Sequence, residues 1–243
     1  MLGSSGSYPS PRSPCSGYLV RAGATNVWVD CGHGTFANLQ SHLDVEDLDA
    51  VVITHEHADH CVDVFGLHVM MRYGLDRSGL PLFAPPGAEQ RLGGLVRSWD
   101  DTFDWQVIDD GAKTDVGDLR LRFSRTDHPP PTFAVEITGD DDLTGEERRL
   151  VYTADTGPEW SVSAFDDGAA LVLSEATYLH DHRETSLHLS ARQAGEAARA
   201  ASAERLLLTH IWPMIDQAAS LAEGSEAFGS AVTLAEPHLI TRV

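Results

Sequence analysis

The sequence contains a dense group of metal-ligating side chains at residues 55–60, which read His-Glu-His-Ala-Asp-His. Neutral imidazole nitrogens and carboxylate oxygens suit zinc and its first-row neighbours. His55, His57, Asp59 and His60 are more ligands than one open catalytic zinc takes from a short segment. The run therefore predicts two metals side by side, and a two-metal site favours hydrolysis at phosphorus or a related reaction.

Four other apolar, strand-like stretches end in side chains of the same kinds. The residues at or just after these ends are His128, Asp155, Glu175 and His210. A single histidine after a strand is more often a capping or surface group than a ligand. Because the pattern recurs along the chain, we expect several strand ends to build one rigidly held site.

The composition is that of one large globular domain. The chain has 243 residues, of which 42% are hydrophobic, enough for a substantial core. No stretch approaches the roughly 20 apolar residues of a membrane span, and residues 1–14 lack the apolar centre of a signal peptide. We therefore predict a cytoplasmic protein without a membrane partner. Cys15, Cys31 and Cys61 do not form a disulfide framework, and Cys61 is interpreted as a buried thiol.

The net charge of −20 comes from 37 acidic against 17 basic residues. The electrostatic field of this negative charge opposes long-range attraction of a polyanion, so bulk nucleic acid is not the expected partner. A small anion can still bind where two metal charges dominate the local field. Solubility or adaptation to salt is an alternative explanation of the acidity.

The predicted elements alternate between strands and helices in each half of the chain. Strands are predicted at 16–21, 26–30, 50–54, 80–84, 150–154, 170–174, 205–209, 231–235 and 238–242, with three or four more within 103–137. Helices are predicted at 35–42, 63–73, 88–96, 190–203 and 213–227. Two β-rich halves with helices outside indicate an α/β protein, a four-layer αββα sandwich formed by a single domain at 1–243.

Taken together, these motifs resemble the metallo-β-lactamase-fold hydrolases, specifically the ribonuclease Z-like branch, over nearly the whole chain. Residues 55–60 resemble the main metal motif, 127–135 the third-histidine motif, 153–156 a Gly-Asp-Thr motif with Ala154 for glycine, and 209–210 the last ligand. The Gly-rich residues 2–7 resemble the turn that follows the first strand in that branch. The first strand itself is expected to be truncated here.

The resemblance implies a ligand set and a cofactor. One metal would be bound by His55, His57 and His128, and the other by Asp59, His60 and His210. Asp155 would bridge them. The expected cofactor is two Zn²⁺, with Mn²⁺ or Fe²⁺ as substitutes because His/Asp sites accept these ions.

Two further motifs point to phosphodiesters as substrates. Residues 175–177 resemble an acidic motif of the ribonuclease Z branch, and residues 188–190 its later histidine motif. In that branch the pair looks like a histidine oriented by a carboxylate and placed to protonate a leaving oxygen. A surface acid at Glu175 and a neighbour of a helix cap at His188 are the alternatives.

The long tRNA-gripping insertion of ribonuclease Z is not evident in this chain. The closer resemblance is to small actinobacterial-type cyclic-nucleotide phosphodiesterases, through residues 7–18, 187–190 and 206–213. A small anionic phosphodiester is therefore the expected partner. A homodimer is possible by analogy with the family alone.

The predicted reaction is hydrolysis of a small phosphodiester such as a 3′,5′-cyclic nucleotide. A hydroxide bridging the metals would attack phosphorus. Asp59 would accept a proton from the water that gives this hydroxide. His188, oriented by Glu175, would protonate the departing oxygen. The alternatives are a tRNA 3′-processing endonuclease, a lactone or thioester hydrolase of the same fold, and a non-enzymatic metal-binding role.

The pocket walls are expected from loops 63–79, 178–187 and 212–220. Tyr73, Tyr178 and Trp212 in or beside these loops are candidates for stacking on a substrate ring or for packing in the core.

Overall fold

A computed structural model describes residues 1–182 and 187–243 of the chain. Residues 183–186 of the predicted pocket loop 178–187 lie outside this described part. The first sheet contains β1 (Tyr18–Ala22), β2 (Thr25–Val29), β3 (Ala50–Val52), β4 (Leu80–Ala84) and β5 (Phe103–Val107), in that spatial order. β1 and β2 pair as an antiparallel hairpin, and β2 to β5 are parallel.

The second sheet has seven strands. They are β6 (Lys113–Val116), β7 (Leu119–Arg125), β8 (Phe133–Asp140), β9 (Glu147–Tyr152), β10 (Leu171–Glu175), β11 (Leu206–Thr209) and β12 (Thr233–Leu234), and they lie in the reverse order β12 to β6 across the sheet. β6 to β9 pair antiparallel, whereas β9 to β12 are parallel.

The helices lie between and after these strands. They are α1 (Thr35–Leu39), α2 (Ala58–Cys61), α3 (Val64–Met70), α4 (Ala88–Gly93), α5 (Ala191–Ala200) and α6 (Gln217–Phe228), and α3 continues into a π-helical turn at Met71–Leu75. A capping box is present at the start of α5, where Ser190 and Gln193 exchange hydrogen bonds. No described helix is long and apolar enough to cross a membrane.

Three apolar cores separate four layers. Alternate residues of β2 point to opposite sides, so that Val29 lies in the core between the two sheets and Trp28 in the core under α1 to α4. In β10, Leu173 likewise faces the first sheet and Val172 faces α5 and α6. The predicted four-layer α/β/β/α sandwich is therefore confirmed.

Two predicted elements differ from the structure. Residues 238–242 do not form a strand, because His238 adopts a left-handed backbone with φ of 67° and Leu239 packs against the core between the sheets. The helix expected from residue 213 begins at residue 217, since the Asp216 side chain caps it by accepting a hydrogen bond from the Ala218 N–H at 2.9 Å.

Candidate metal centre

Asp155 lies directly between two groups of histidines. Its Oδ2 is 3.5 Å from His55 Nε2 and 3.9 Å from His128 Nε2. Its Oδ1 is 3.3 Å from His60 Nε2 and 3.5 Å from His210 Nε2. One carboxylate therefore faces both groups, through a different oxygen for each.

The first group, which we call cluster A, consists of His55, His57, His128 and Asp155, whose ligand atoms all lie within 4.8 Å of one another. His55 Nε2 is 3.0 Å from His57 Nδ1, and that nitrogen is 3.4 Å from His128 Nε2. Three imidazoles and a carboxylate oxygen that converge in this way form a donor set suited to a first-row divalent cation.

The second group, cluster B, consists of Asp59, His60 and His210, again within 4.8 Å. Asp59 Oδ2 lies 3.2 Å from His210 Nε2 and 3.6 Å from His60 Nε2. Together with Asp155 Oδ1, cluster B offers two nitrogens and two oxygens. The structure thus brings together all seven side chains that the sequence singled out as ligands.

A change of backbone conformation divides residues 55–60 between the two clusters. His57 is still extended, with φ of −66° and ψ of 143°, and α2 begins at the next residue. Residues two apart in an extended chain lie on the same side, which puts His55 and His57 in cluster A. The first turn of α2 then directs Asp59 and His60 to cluster B.

The other side chains of the site come from strand ends at one edge of the second sheet. β9, β10 and β11 are parallel neighbours, so their carboxyl ends deliver Asp155, Glu175 and His210 to the same edge. β7 runs in the same direction, separated from β9 by antiparallel β8, and delivers His128 there as well. Ala154 and His210 leave their strands in left-handed conformations, with φ of 50° and 54°, a strain that is characteristic of functional sites.

Two buried atoms at the centre of the site show that the residues fit a cation. His60 Nε2 and Asp155 Oδ1 lie 3.3 Å apart, yet neither makes a hydrogen bond with the described residues. Buried polar atoms are rarely left without a partner. A cation in cluster B would satisfy both.

The electrostatic field also favours positive charge in cluster B. Burial disfavours the protonated form of His60, but the carboxylates of Asp155, Asp30 and Asp59 outweigh burial and raise the pKa of His60 well above its usual range. A metal cation would occupy the same field. The burial, the donor types and the charges therefore all fit one divalent ion in each cluster.

Asp30 is a candidate functional residue that the sequence analysis did not identify. It is completely buried at the end of β2, and its Oδ2 lies 2.7 Å from His60 Nδ1. The same carboxylate accepts hydrogen bonds from the Thr54 N–H at 2.8 Å and the Tyr152 hydroxyl at 2.9 Å. A carboxylate that holds the far nitrogen of a histidine fixes the ring and leaves the other nitrogen for a metal. The feature of the sequence that could have identified Asp30 is its position at the end of a predicted strand.

His188 lies beside both clusters and is bound to Glu175. Its Nδ1 is 3.0 Å from Glu175 Oε1 and 4.0 Å from Asp155 Oδ2, and its ring stacks on that of His210 with centroids 5.5 Å apart. Burial opposes protonation of His188, but the charge of Glu175 and its hydrogen bond raise the pKa of His188 to about 9. His188 also forms a ligand-like group with Asp155 and His210, but its Nδ1 is already engaged by Glu175.

Glu175 is held rigidly by backbone and side-chain donors. Its Oε1 accepts the Thr156 N–H at 2.8 Å, and its Oε2 accepts the Thr177 hydroxyl at 2.8 Å and the Leu189 N–H at 3.2 Å. The Thr177 oxygen also lies 2.9 Å from His210 Nδ1, so it can accept that N–H while donating to Glu175. The carboxylate thus orients the ring of His188 directly and that of His210 through a hydroxyl.

The buried side chains of Cys61 and His68 lie outside the clusters. Cys61 is a buried free thiol whose Sγ lies 3.6 Å from the Glu56 carbonyl oxygen. His68 is buried in α3, and its Nδ1 lies 2.9 Å from Thr102 Oγ1. Both are in the surroundings expected for packed, non-ligating side chains.

Comparison with known proteins gives a family and several relatives. A family model described as "Beta-lactamase superfamily domain" matches residues 25–211. An uncharacterized protein of Mycobacterium leprae is 37% identical, covering 96% of this chain and 84% of its own length. A ribonuclease Z of Methanopyrus kandleri is 27% identical, covering 100% of this chain and 96% of its own.

A relative from Bacillus subtilis matches in both sequence and structure. The probable metallo-hydrolase YhfI is 31% identical over 216 residues, covering 87% of this chain and 85% of its own length. The crystal structure of this metallo-beta-lactamase fold protein superimposes with a TM-score of 0.85, covering 97% of this chain and 94% of that one. The similarity therefore extends through both sheets and the strand ends that carry the two clusters.

Proposed function

We propose that this chain, which belongs to the beta-lactamase superfamily, is a two-metal phosphodiesterase. The ions are two Zn²⁺, for which Mn²⁺ or Fe²⁺ can substitute. The ligands are those of clusters A and B, with Asp155 shared between them. The substrate is a small anionic phosphodiester such as a 3′,5′-cyclic nucleotide.

The observation that carries this proposal is the His188–Glu175 pair beside the clusters. An alkoxide that departs from phosphorus is a strong base and needs a proton as the P–O bond breaks. A departing thiolate is a much weaker base, so a thioester does not require such a donor. A partly buried histidine whose Nδ1 is fixed to a carboxylate at 3.0 Å is suited to deliver that proton from Nε2.

The proton states of the site suit this role. Burial opposes protonation of His188, but the charge of Glu175 raises its pKa to about 9, which favours the protonated form. When bound, the two ions supply Lewis acidity, which lowers the pKa of water and polarises the phosphoryl oxygens. Asp59, kept ionised by His60 and His210 although burial opposes it, accepts a proton from the attacking water. His188 then protonates the departing oxygen as its bond to phosphorus breaks.

The charge of the whole chain supports a small substrate. With 37 acidic and 17 basic residues, the surface repels a long polyanion at a distance. A tRNA 3′-processing activity remains the second candidate, because a ribonuclease Z is 27% identical along the full chain and would use the same ligands and the same proton donor.

The test is metal-dependent hydrolysis of three substrates by one preparation of known metal content. The substrates are bis(p-nitrophenyl) phosphate, 3′,5′-cyclic AMP and a short precursor tRNA at physiological salt. We expect turnover of the first two and no cleavage of the third. Precursor tRNA cleavage would favour the second candidate. A protein with two metals bound that hydrolyses no diester but does hydrolyse a lactone or thioester would overturn the proposal.

A further inference from the structure

Two aromatic side chains continue the row of rings that begins at the metal centre. Tyr178 packs edge-to-face against His188, with centroids 6.0 Å apart, and Trp212 packs against Tyr178 at 5.1 Å. Both rings are partly exposed. We propose that Tyr178 and Trp212 form a subsite for a nucleobase, so that the substrate is a nucleotide diester. This inference rests on the proposed function and names its substrate class.

The position of Tyr178 is fixed relative to the proton donor. Its backbone forms a parallel bridge with Ser190, and its N–H donates to the Leu189 carbonyl oxygen at 3.3 Å. Leu189 directly follows His188. Because the backbones of the two segments are bonded to each other, they place the ring of Tyr178 next to the side chain that protonates the departing oxygen.

The ring of Trp212 is held by a segment near the beginning of the chain. Its indole N–H donates to Ser7 Oγ at 2.6 Å, and Trp212 follows the cluster B ligand His210 by two residues. The Gly6 N–H donates to the Ile211 carbonyl oxygen at 3.1 Å, which anchors the segment that carries Ser7. A partly exposed indole whose only polar atom is already bonded offers its faces for stacking rather than its edge for hydrogen bonding.

The location of the rings determines which part of the substrate they contact. His188 protonates the departing oxygen, so Tyr178 and Trp212 lie on the side of the leaving alcohol. A planar ring on that alcohol can stack on them, as bases stack on aromatic side chains in proteins that bind single strands. In a 3′,5′-cyclic nucleotide the departing alcohol belongs to the same nucleoside as the base.

The structure distinguishes these two rings from Tyr73, which the sequence analysis also considered. The Tyr73 side chain is 76% exposed in the helical turn 71–75. The Arg72 guanidinium lies over its ring at 5.4 Å from the centroid. Tyr73 therefore serves as the matched control.

The experiment compares two cyclic diesters that differ only in the base, 3′,5′-cyclic AMP and abasic ribose 3′,5′-cyclic phosphate. The proteins are the metal-loaded wild type and its Trp212→Leu, Trp212→Phe, Tyr178→Leu and Tyr73→Leu variants. We expect KM for 3′,5′-cyclic AMP to rise about 5- to 150-fold in Trp212→Leu and Tyr178→Leu. KM for the abasic diester should stay near its wild-type value in all variants. Trp212→Phe retains a ring and should keep most of the preference for the base, and Tyr73→Leu should behave as wild type.

A binding measurement separates this inference from the proposed function. Calorimetric titration of the metal-loaded proteins with adenosine 5′-monophosphate and with ribose 5-phosphate requires no chemical step. Tighter binding of the nucleotide that is lost in Trp212→Leu supports the base subsite even if neither cyclic diester is hydrolysed, in which case only the proposed function fails. Equal binding of the two ligands by the wild type would overturn the subsite. The subsite also fails if Trp212→Leu impairs both cyclic diesters equally, because that pattern indicates a structural role.

Discussion

At the scale of single residues, the site depends on how each polar atom is oriented by a neighbour. Asp30 holds His60 Nδ1, Thr177 holds His210 Nδ1, and Glu175 holds His188 Nδ1. In the first two cases the other ring nitrogen points into cluster B. In the third case Nε2 is left for the proposed proton transfer, so similar hydrogen bonds orient two proposed ligands and one proposed acid.

The first prediction concerns the proton donor. His188→Ala should lower turnover of a phosphodiester by roughly 10²–10⁴-fold, because the departing alkoxide loses its proton source. Metal content, measured on the same sample, should remain that of the wild type, since the ring is not in cluster A or B. Unchanged turnover of 3′,5′-cyclic AMP would remove His188 from the mechanism.

The second prediction concerns pH. A protonated His188 is required, so the rate should fall as pH rises through its pKa. The charge of Glu175 raises that pKa toward about 9 against the effect of burial, and bound cations lower it in the loaded enzyme. Glu175→Gln removes the negative charge, so the alkaline limb of the pH–rate profile should move to lower pH. If the alkaline limb lies at the same pH in wild type and variant, it reports the titration of a group other than His188.

The third prediction concerns Asp30. Asp30→Asn replaces a carboxylate oxygen by an amide N–H that cannot accept the surrounding donors, and metal affinity should fall about 10- to 100-fold. Tyr152→Phe is the matched control, because it removes one donor to Asp30 and leaves the carboxylate in place. Competition with a chromophoric chelator measures the metal affinity of both variants. Equal affinities in the two variants would show that Asp30 does not orient His60.

At the scale of elements, the loop at residues 4–14 is part of the site because it packs against the end of β11. Ser5 forms a bridge with Ile211. A Cβ on Gly6 would lie 2.4 Å from the His210 carbonyl oxygen and 3.1 Å from His210 Nδ1. Only glycine allows the loop to approach the ligand so closely.

The fourth prediction follows from that approach. Gly6→Ala should displace His210 and lower turnover about 10- to 100-fold, since small displacements of catalytic groups are costly. Gly74→Ala is the control, because its Cβ would meet Met70 at an ordinary 3.6 Å. Steady-state kinetics and metal content on both variants make the comparison. Wild-type metal content and turnover in Gly6→Ala would contradict the role of the loop.

At the scale of the whole molecule, the site lies where the two sheets meet. Cluster A takes His55 and His57 from the end of β3 in the first sheet, and His128 and Asp155 from the second. Metal bound to both sheets would stabilise the folded state, in which alone the ligands converge.

The fifth prediction is therefore a loss of stability on metal removal. Free metal at about 1,000 times its dissociation constant adds ~4 kcal/mol, and for a chain of this size 1 kcal/mol corresponds to about 2–4 °C in Tm. Chelation should lower Tm by roughly 10 °C, and added Zn²⁺ should restore it. Asp155→Ala, which removes the shared carboxylate, should bind less metal and show a smaller shift. Full two-metal occupancy in that variant would refute the bridging role.

The types of the candidate ligands and their positions after apolar strands were readable from the sequence, because strand patterning and side-chain chemistry are local properties. The same patterns predicted the four layers. They failed at residues 238–242, where a left-handed His238 and burial against the core between the sheets override an apolar stretch that resembles a strand.

The contacts between atoms of the site depend on how distant parts of the chain fold together. His210 and Asp59 are 151 residues apart in the chain, Tyr152 and Asp30 are 122 apart, and Trp212 and Ser7 are 205 apart. No local pattern encodes such contacts, because they depend on the order and direction of strands across two sheets. The orienting role of Asp30, the opposite directions of the two Asp155 oxygens and the row of rings from His210 to Trp212 all follow from that arrangement.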